Sequence, residues 1–189
     1  MAIKLLVGLR NPGEAYHQTR HNAGGWLVSA LAIRQNAVFY VDKKFQGEVT
    51  SWTRDGVVCN ALLPLTFMNL SGLSVRALSQ FYRILPHEIL VAHDDLDLPP
   101  GRIKLKTGGG HGGHNGLRDL IAQLGSADFH RLRVGIGHPG DKALVLNYVL
   151  GKPSVVDKEA ILDAIDHAME VMPTVLAGHI AEAMTRLNR

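Results

Sequence analysis

The sequence predicts an α/β protein: one domain over residues 1–189, built as a three-layer sandwich with a mixed central sheet and helices on both faces. Three observations carry this reading. Short apolar runs alternate with stretches of helical period, the pattern of strands and helices taken in turn. Two consecutive runs are separated by Asp55-Gly56, a strong hairpin signal, so at least one strand pair is antiparallel. A chain of 189 residues with 46% hydrophobic and 20% charged residues, and neither a repeat nor a low-complexity linker, matches one core of ordinary size.

The elements follow in order. Ile3 to Leu9 is a continuous apolar run, read as a buried strand over about 2–9, and Asn11-Pro12-Gly13 turns the chain after it. A helix is expected at 23–36 and a hairpin at 48–54 and 57–63. The next helix is expected at 67–83, with Thr66 as N-cap and Leu70, Leu73, Leu78, Phe81 and Tyr82 on or near one face. Further strands are expected at 88–94, 102–107 and 131–137, and helices at 115–125 and 142–149. Ser154 is a suitable N-cap for a last helical stretch, with Asp157 three residues on, and Pro173 should divide that stretch into 154–172 and 174–187.

Composition narrows the function classes. The single cysteine excludes an internal disulfide framework and fits a reducing compartment, and Cys59 in Val57–Leu63 reads as a small buried hydrophobe. Neither a signal sequence nor an apolar stretch of membrane-spanning length is recognisable, so a soluble cytoplasmic protein is expected. The net charge is only +3, but Arg102, Lys104, Lys106, Arg118, Arg131 and Arg133 crowd one segment that holds just two acids, Asp119 and Asp128. Such a patch suits a phosphate-bearing partner; a solvated basic face is the plainer alternative.

Four segments carry candidate chemistry. The loop after the first strand offers His21, an imidazole able to act as a base near neutral pH. Asn69, near a helix start, could support a developing oxyanion or simply form a local turn. Asp94 ends a buried strand and could accept a hydrogen bond from His21, fixing its tautomer, while Asp95 and Asp97 could serve turns or a metal. They lack the glycine and terminal glutamate of a calcium loop. Gly108 to Gly116 holds His111, His114 and Asn115 in a glycine-rich turn that presents backbone N–H groups to an anion. It is not a Walker loop, and the histidine spacing is a poor match to zinc ligand patterns, so His114 and Asn115 are read as substrate contacts.

Taken together these segments resemble the bacterial-type peptidyl-tRNA hydrolase family. The resemblance rests on Gly8-Leu9-Arg10-Asn11-Pro12-Gly13 with Tyr16, Thr19, Arg20, His21, Asn22 and Gly24. It continues through Thr66-Phe67-Met68-Asn69, Ser71-Gly72, Asp94-Asp95-Leu96-Asp97, Gly109 to Gly116, Phe129 to Pro139 and Tyr148-Val149-Leu150. It covers nearly the whole chain, in order.

The resemblance implies a monomeric enzyme without metal or organic cofactor that cleaves the ester joining a peptide to the 3′-terminal ribose of tRNA. His21 would activate water, Asp94 would support it, and Asn69 would stabilise the oxyanion or position the carbonyl. Asn11 and Asn115 would hold the peptide and the 3′-terminal groups, with Tyr16, Phe67, Met68 and His114 shaping the cleft. Lys104, Lys106 and Arg133 would grip tRNA phosphate on the acceptor stem. The alternatives are an RNA-binding relative with an inactive site and a metal-dependent hydrolase using His111, His114 and the Asp94–Asp97 cluster.

Overall fold

The computed structural model describes residues 1–189. Its strands are β1 (Leu5–Gly8), β2 (Tyr40–Asp42), β3 (Gly47–Arg54), β4 (Val57–Pro64), β5 (Ile89–Asp95), β6 (Ile103–Thr107) and β7 (His130–Gly135). The helices are α1 (Ala23–Arg34), α2 (Ser71–Phe81), α3 (Asn115–Leu124), α4 (Val145–Val149), α5 (Val155–Leu176) and α6 (Ile180–Leu187). All seven strands form one sheet in the order β2-β3-β4-β1-β5-β7-β6. The pairs among β4, β1, β5 and β7 are parallel, and the outer pairs β2/β3, β3/β4 and β6/β7 are antiparallel.

Period-two alternation sends neighbouring strand residues to opposite layers. Leu6, Leu90, Ala92, Leu132 and Val134 face a layer made of α1, α5 and α6. Leu5, Val7, Ile89 and Val91 face α2 and α3, where Val75, Leu78, Leu117 and Leu120 close the second core. Because β1 is buried on both faces it reads as an unbroken apolar run rather than an alternating one. At the β6 edge the Asn188 side chain pairs with both backbone groups of Leu105, at 2.8 and 2.9 Å, and so occupies hydrogen-bonding positions that a further strand would need. No helix is long and apolar enough to cross a membrane.

Local signals read from the sequence recur in the backbone. Asp55 and Gly56 both take positive φ, as a two-residue hairpin turn requires. Ser154 accepts the Asp157 N–H at 3.1 Å, capping α5.

Three expectations are corrected. Thr66 caps nothing: the chain makes a 3-10 turn over Met68–Leu70, led in by Phe67, before α2 begins at Ser71. Leu70, Phe81 and Tyr82 are exposed, and α2 turns Ser71, Ser74, Val75 and Leu78 inward, the Ser71 and Ser74 hydroxyls donating to the Met68 and Phe45 carbonyls. Pro173 does not end its helix. Its ring lies on the exposed side of α5, and the break comes at Gly178, where φ is +86°. The edge strand β2 went unread because its three residues are too short and too exposed to carry a pattern.

The depth at which α1 sits against β5 is set by Gly24. A Cβ there would lie 2.2 Å from the carbonyl oxygen of Ala92 and 2.9 Å from the Cα of His93. Gly24→Ala should therefore push α1 off the sheet and cost about 1–3 kcal/mol, as overpacking does, read as a lowered urea midpoint with unchanged m-value. An unchanged midpoint would show that α1 can shift freely here.

Candidate active site

The carboxyl ends of β1 and β5 lie side by side, paired in register from Leu5↔Ile89 to Gly8↔Ala92. Ligand sites of open α/β sheets gather at such ends. The loop leaving β1 returns through a 3-10 turn, Arg20–Asn22, that delivers His21 to the end of β5. Asp94 waits there, 3% exposed. The His21 Nδ1 stands 2.9 Å from both Asp94 oxygens. A carboxylate only accepts, so Nδ1 carries the proton and Nε2 keeps its lone pair.

His114 supplies the second proton to this carboxylate. Its Nδ1 accepts the N–H groups of Gly116 and Leu117 at 3.1 and 3.2 Å, capping α3, and its Nε2 lies 2.8 Å from Asp94 Oδ1. With Nδ1 bare, Nε2 must be the protonated nitrogen, so His114 donates to Asp94. Both ring nitrogens are thus used inside the protein: His114 lines the cleft with its ring but has no free hydrogen-bonding atom for a substrate. His93 donates from Nδ1 to the Asp94 carbonyl oxygen at 2.8 Å, and its ring meets that of His114 edge-on at 5.3 Å.

The electrostatics follow from this packing. Burial penalises a charged His21, but the Asp94 charge and hydrogen bond outweigh it and raise the pKa above the usual imidazole value. Burial would likewise raise the Asp94 pKa, and the imidazole partners His21 and His114 instead hold it well below the carboxylate range. His93 is pushed down to about 4, chiefly by burial and then by its His114 neighbour, and so stays uncharged near neutrality. Burial raises the Cys59 thiol to about 12, which makes it inert as a nucleophile.

Asn22 fixes the other wall. Its Oδ1 accepts the Asn11 N–H and its Nδ2 donates to the Asn11 carbonyl, both at 2.9 Å. Asn11 Oδ1 in turn accepts the Met68 N–H at 2.7 Å, which leaves the Asn11 amide nitrogen as a free donor. Asn69 follows Met68 in the 3-10 turn, exposed, its side chain without a hydrogen bond inside the chain. Tyr16 and Phe67 meet edge-on at 6.3 Å on the same side. Asn115 opens α3, its Oδ1 accepting from Arg118.

On the far side of His21 a cleft of about 520 Å³ runs between the Asp95–Asp97 turn, the glycine turn 110–113 and the segment 138–149. Lys106 and Arg133 line it, and Lys104 faces the same way two residues before Lys106. The Arg133 Nε donates to Asp95 Oδ2 at 2.7 Å. Asp95 Oδ1 accepts the Asp97 N–H, so these acids serve a turn and an ion pair. His111 caps its own turn through Gly113, away from the carboxylates.

His21, Asp94 and His114 are the one cluster whose donor atoms lie close enough together, within 4.8 Å, to consider a cation. The Asp94 carboxylate, His21 Nδ1 and both His114 nitrogens are already paired in hydrogen bonds, so the set is that of a hydrogen-bonded triad with one free nitrogen, His21 Nε2, rather than of a metal cage. The structure joins His21, Asp94 and His114 in one hydrogen-bond network and Asn11, Met68 and Asn22 in a second. It leaves Asn69, Tyr16, Phe67 and Asn115 on the rim, and Lys104, Lys106 and Arg133 on the neighbouring sheet face. Sequence reasoning gives no separate role to Asn22, which stands only within the family-like motifs, or to Arg131, which stands there and in the basic patch.

A family model described as peptidyl-tRNA hydrolase matches residues 5–189. The peptidyl-tRNA hydrolase of Legionella pneumophila strain Lens is 64% identical over 188 residues, covering 100% of both chains. That of Pseudomonas entomophila is 57% identical, covering 99% of this chain and 97% of its own. The crystal structure of peptidyl-tRNA hydrolase from Acinetobacter baumannii superposes with a TM-score of 0.95 at 49% identity, covering 98% of this chain and 94% of that one. A sheet that sets a histidine loop against a strand-end aspartate, matched along its whole length by these relatives, makes this chain a member of the peptidyl-tRNA hydrolase family.

Proposed function

We propose that this protein hydrolyses the ester between the peptide and the 3′-terminal ribose of peptidyl-tRNA, with water as nucleophile and no metal or organic cofactor. The His21–Asp94 contact carries the reading. An Nδ1–H held by a buried carboxylate leaves Nε2 as a base, and an aminoacyl ester is activated enough for a positioned water to suffice. Nε2 takes the proton as the water oxygen bonds to the ester carbon, and Asp94 stabilises the imidazolium. The oxyanion draws on amide donors, Asn69 with its unpaired side chain and Asn11 with its free nitrogen. When the intermediate collapses, the C–O bond to the ribose breaks and His21 returns the proton to the leaving oxygen.

Tyr16, Phe67 and Met68 would form the wall for the peptide, with Asn115 at the junction of peptide and ribose. Lys104, Lys106 and Arg133 would hold acceptor-stem phosphate, the last presenting the Nη atoms that Asp95 leaves free. In this reading His114 acts on the substrate only through Asp94. The whole chain, 1–189, would work as a single domain and a monomer in the cytoplasm.

His21→Ala should fold normally and lose about 10²–10⁴ in kcat on an N-blocked aminoacyl-tRNA, measured with chelator-treated enzyme. A loss below tenfold would remove His21 as the base, and wild-type activity abolished by chelation would point to a metal.

Lys104→Ala and Lys106→Ala should instead raise KM with little change in kcat. Each should lower the slope of log affinity against log salt by about one contact. Unchanged slopes would take these lysines out of the RNA footprint.

A further inference from the structure

Arg20 immediately precedes His21, is half-buried, and forms no ion pair. Its guanidinium is spent on α4 instead. The guanidinium carbon lies 3.9 Å from the centre of the Tyr148 ring, and Nη1 donates to the Tyr148 carbonyl at 2.9 Å. The Arg20 backbone N–H donates to the Gly151 carbonyl at 3.0 Å, while the Nε is buried without a partner. The Tyr148 hydroxyl donates to the Ile136 carbonyl at 2.6 Å, so the ring that Arg20 covers is itself anchored just beyond β7. Gly151 leaves room for this arrangement: a Cβ there would lie 3.2 Å from the Arg20 Nη1.

The two elements joined in this way differ in how firmly they are held. The turn carrying Arg20 and His21 is fixed on every side. The Thr19 hydroxyl donates to the Tyr16 carbonyl, His21 bonds Asp94, and Asn22 grips Asn11. By contrast, α4 has five residues, of which only Val149 is buried, and a helix so short has no stability of its own. Its last carbonyls lack helical partners, and a cation at that end satisfies one of them and suits the helix dipole. The clamp therefore holds α4 to the turn, and not the reverse. Val145, Leu146 and Val149 line the cleft that ends at His21, so the distance from that wall to the His21 Nε2 is set by Arg20.

We propose that Arg20 is a positioning residue: by clamping the carboxyl end of α4 through Tyr148, it holds one wall of the cleft at the distance from His21 that brings the ester to Nε2. This rests on the reading of the chain as an esterase. Arg20 touches neither the reacting atoms nor the His21 ring, so its loss should leave the base as it is and misplace what the base acts on.

The test uses the full chain as Arg20→Met, Arg20→Lys, Tyr148→Leu and the double variant Arg20→Met/Tyr148→Leu. Without any substrate, the Leu150 and Gly151 amides should exchange with solvent about tenfold faster in Arg20→Met, and those of β1 at the wild-type rate. Unchanged exchange at both amides would remove the clamp. On an N-blocked aminoacyl-tRNA, kcat should fall at least about tenfold, since a misplacement of about 1 Å is enough for a loss of that order. The midpoint of the kcat/KM pH profile should stay where it is in wild type. A raised KM with unchanged kcat, or a midpoint that moves, would overturn the positioning role.

The double variant should be no slower than the worse single one, because both substitutions cut the same clamp; losses that multiply would contradict it. Lysine keeps the charge but cannot lie flat on the ring while donating to the carbonyl, so full recovery in Arg20→Lys also overturns the proposal. Should Arg20→Met fail to fold, Gly151→Ala crowds the guanidinium with its charge intact and should reproduce the faster exchange and lower kcat in smaller measure. Wild-type values there would count against the clamp. A wild type that leaves the ester uncleaved removes the esterase reading, which the exchange measurement does not depend on.

Discussion

The Asp94 carboxylate is the contact on which the site depends. It ends a strand buried on both faces, out of water, and a charge placed there must be satisfied by specific donors or become neutral. Two imidazoles provide them, His21 at 2.9 Å and His114 at 2.8 Å. Each arrives from a different element, one on the loop after β1 and the other as the cap of α3. The carboxylate thus ties three pieces of chain together, fixes the tautomer of both rings, and leaves one free lone pair, on His21 Nε2.

The fold is organised to hold that carboxylate still. Parallel pairing of β1 with β5 brings the two strand ends into line, and Gly24 lets α1 approach the β5 backbone closely enough for the preceding turn to deliver His21. Asn22, next to His21, grips both backbone groups of Asn11, so one short turn sets the base and the opposite wall of the cleft at once. In each case a polar group inside the protein is fully matched on one side and thereby orients a free group on the other.

Much of this was legible in the residues because local rules dominate where it lies. The unbroken apolar runs of β1 and β5, the Asp55–Gly56 turn and the Ser154 cap are decided within a few neighbours, and an aspartate at a buried strand end is a recognisable partner for a histidine. What stayed hidden depended on contacts distant in sequence. Thr66 looks like a cap until Asn11 claims the Met68 N–H and draws the chain into a 3-10 turn. Pro173 looks like a stop until its ring proves to face outward. His114 looks like a substrate ligand because its spacing cannot reveal that α3 uses one nitrogen and Asp94 the other. Arg131 looks like one more member of a basic patch, and only the sheet face and the overlying glycine turn show it to be interior.

The central claim is that Asp94 sets the protonation state of His21, and imidazole ¹⁵N titration measures this directly. Wild type should show His21 protonated on Nδ1 in its neutral form, with a midpoint above 6.5, because the carboxylate outweighs burial. In Asp94→Asn the midpoint should fall below that of wild type, since burial then acts without a compensating charge. A neutral His21 carrying its proton on Nε2, or a midpoint that the substitution leaves unchanged, would contradict the account.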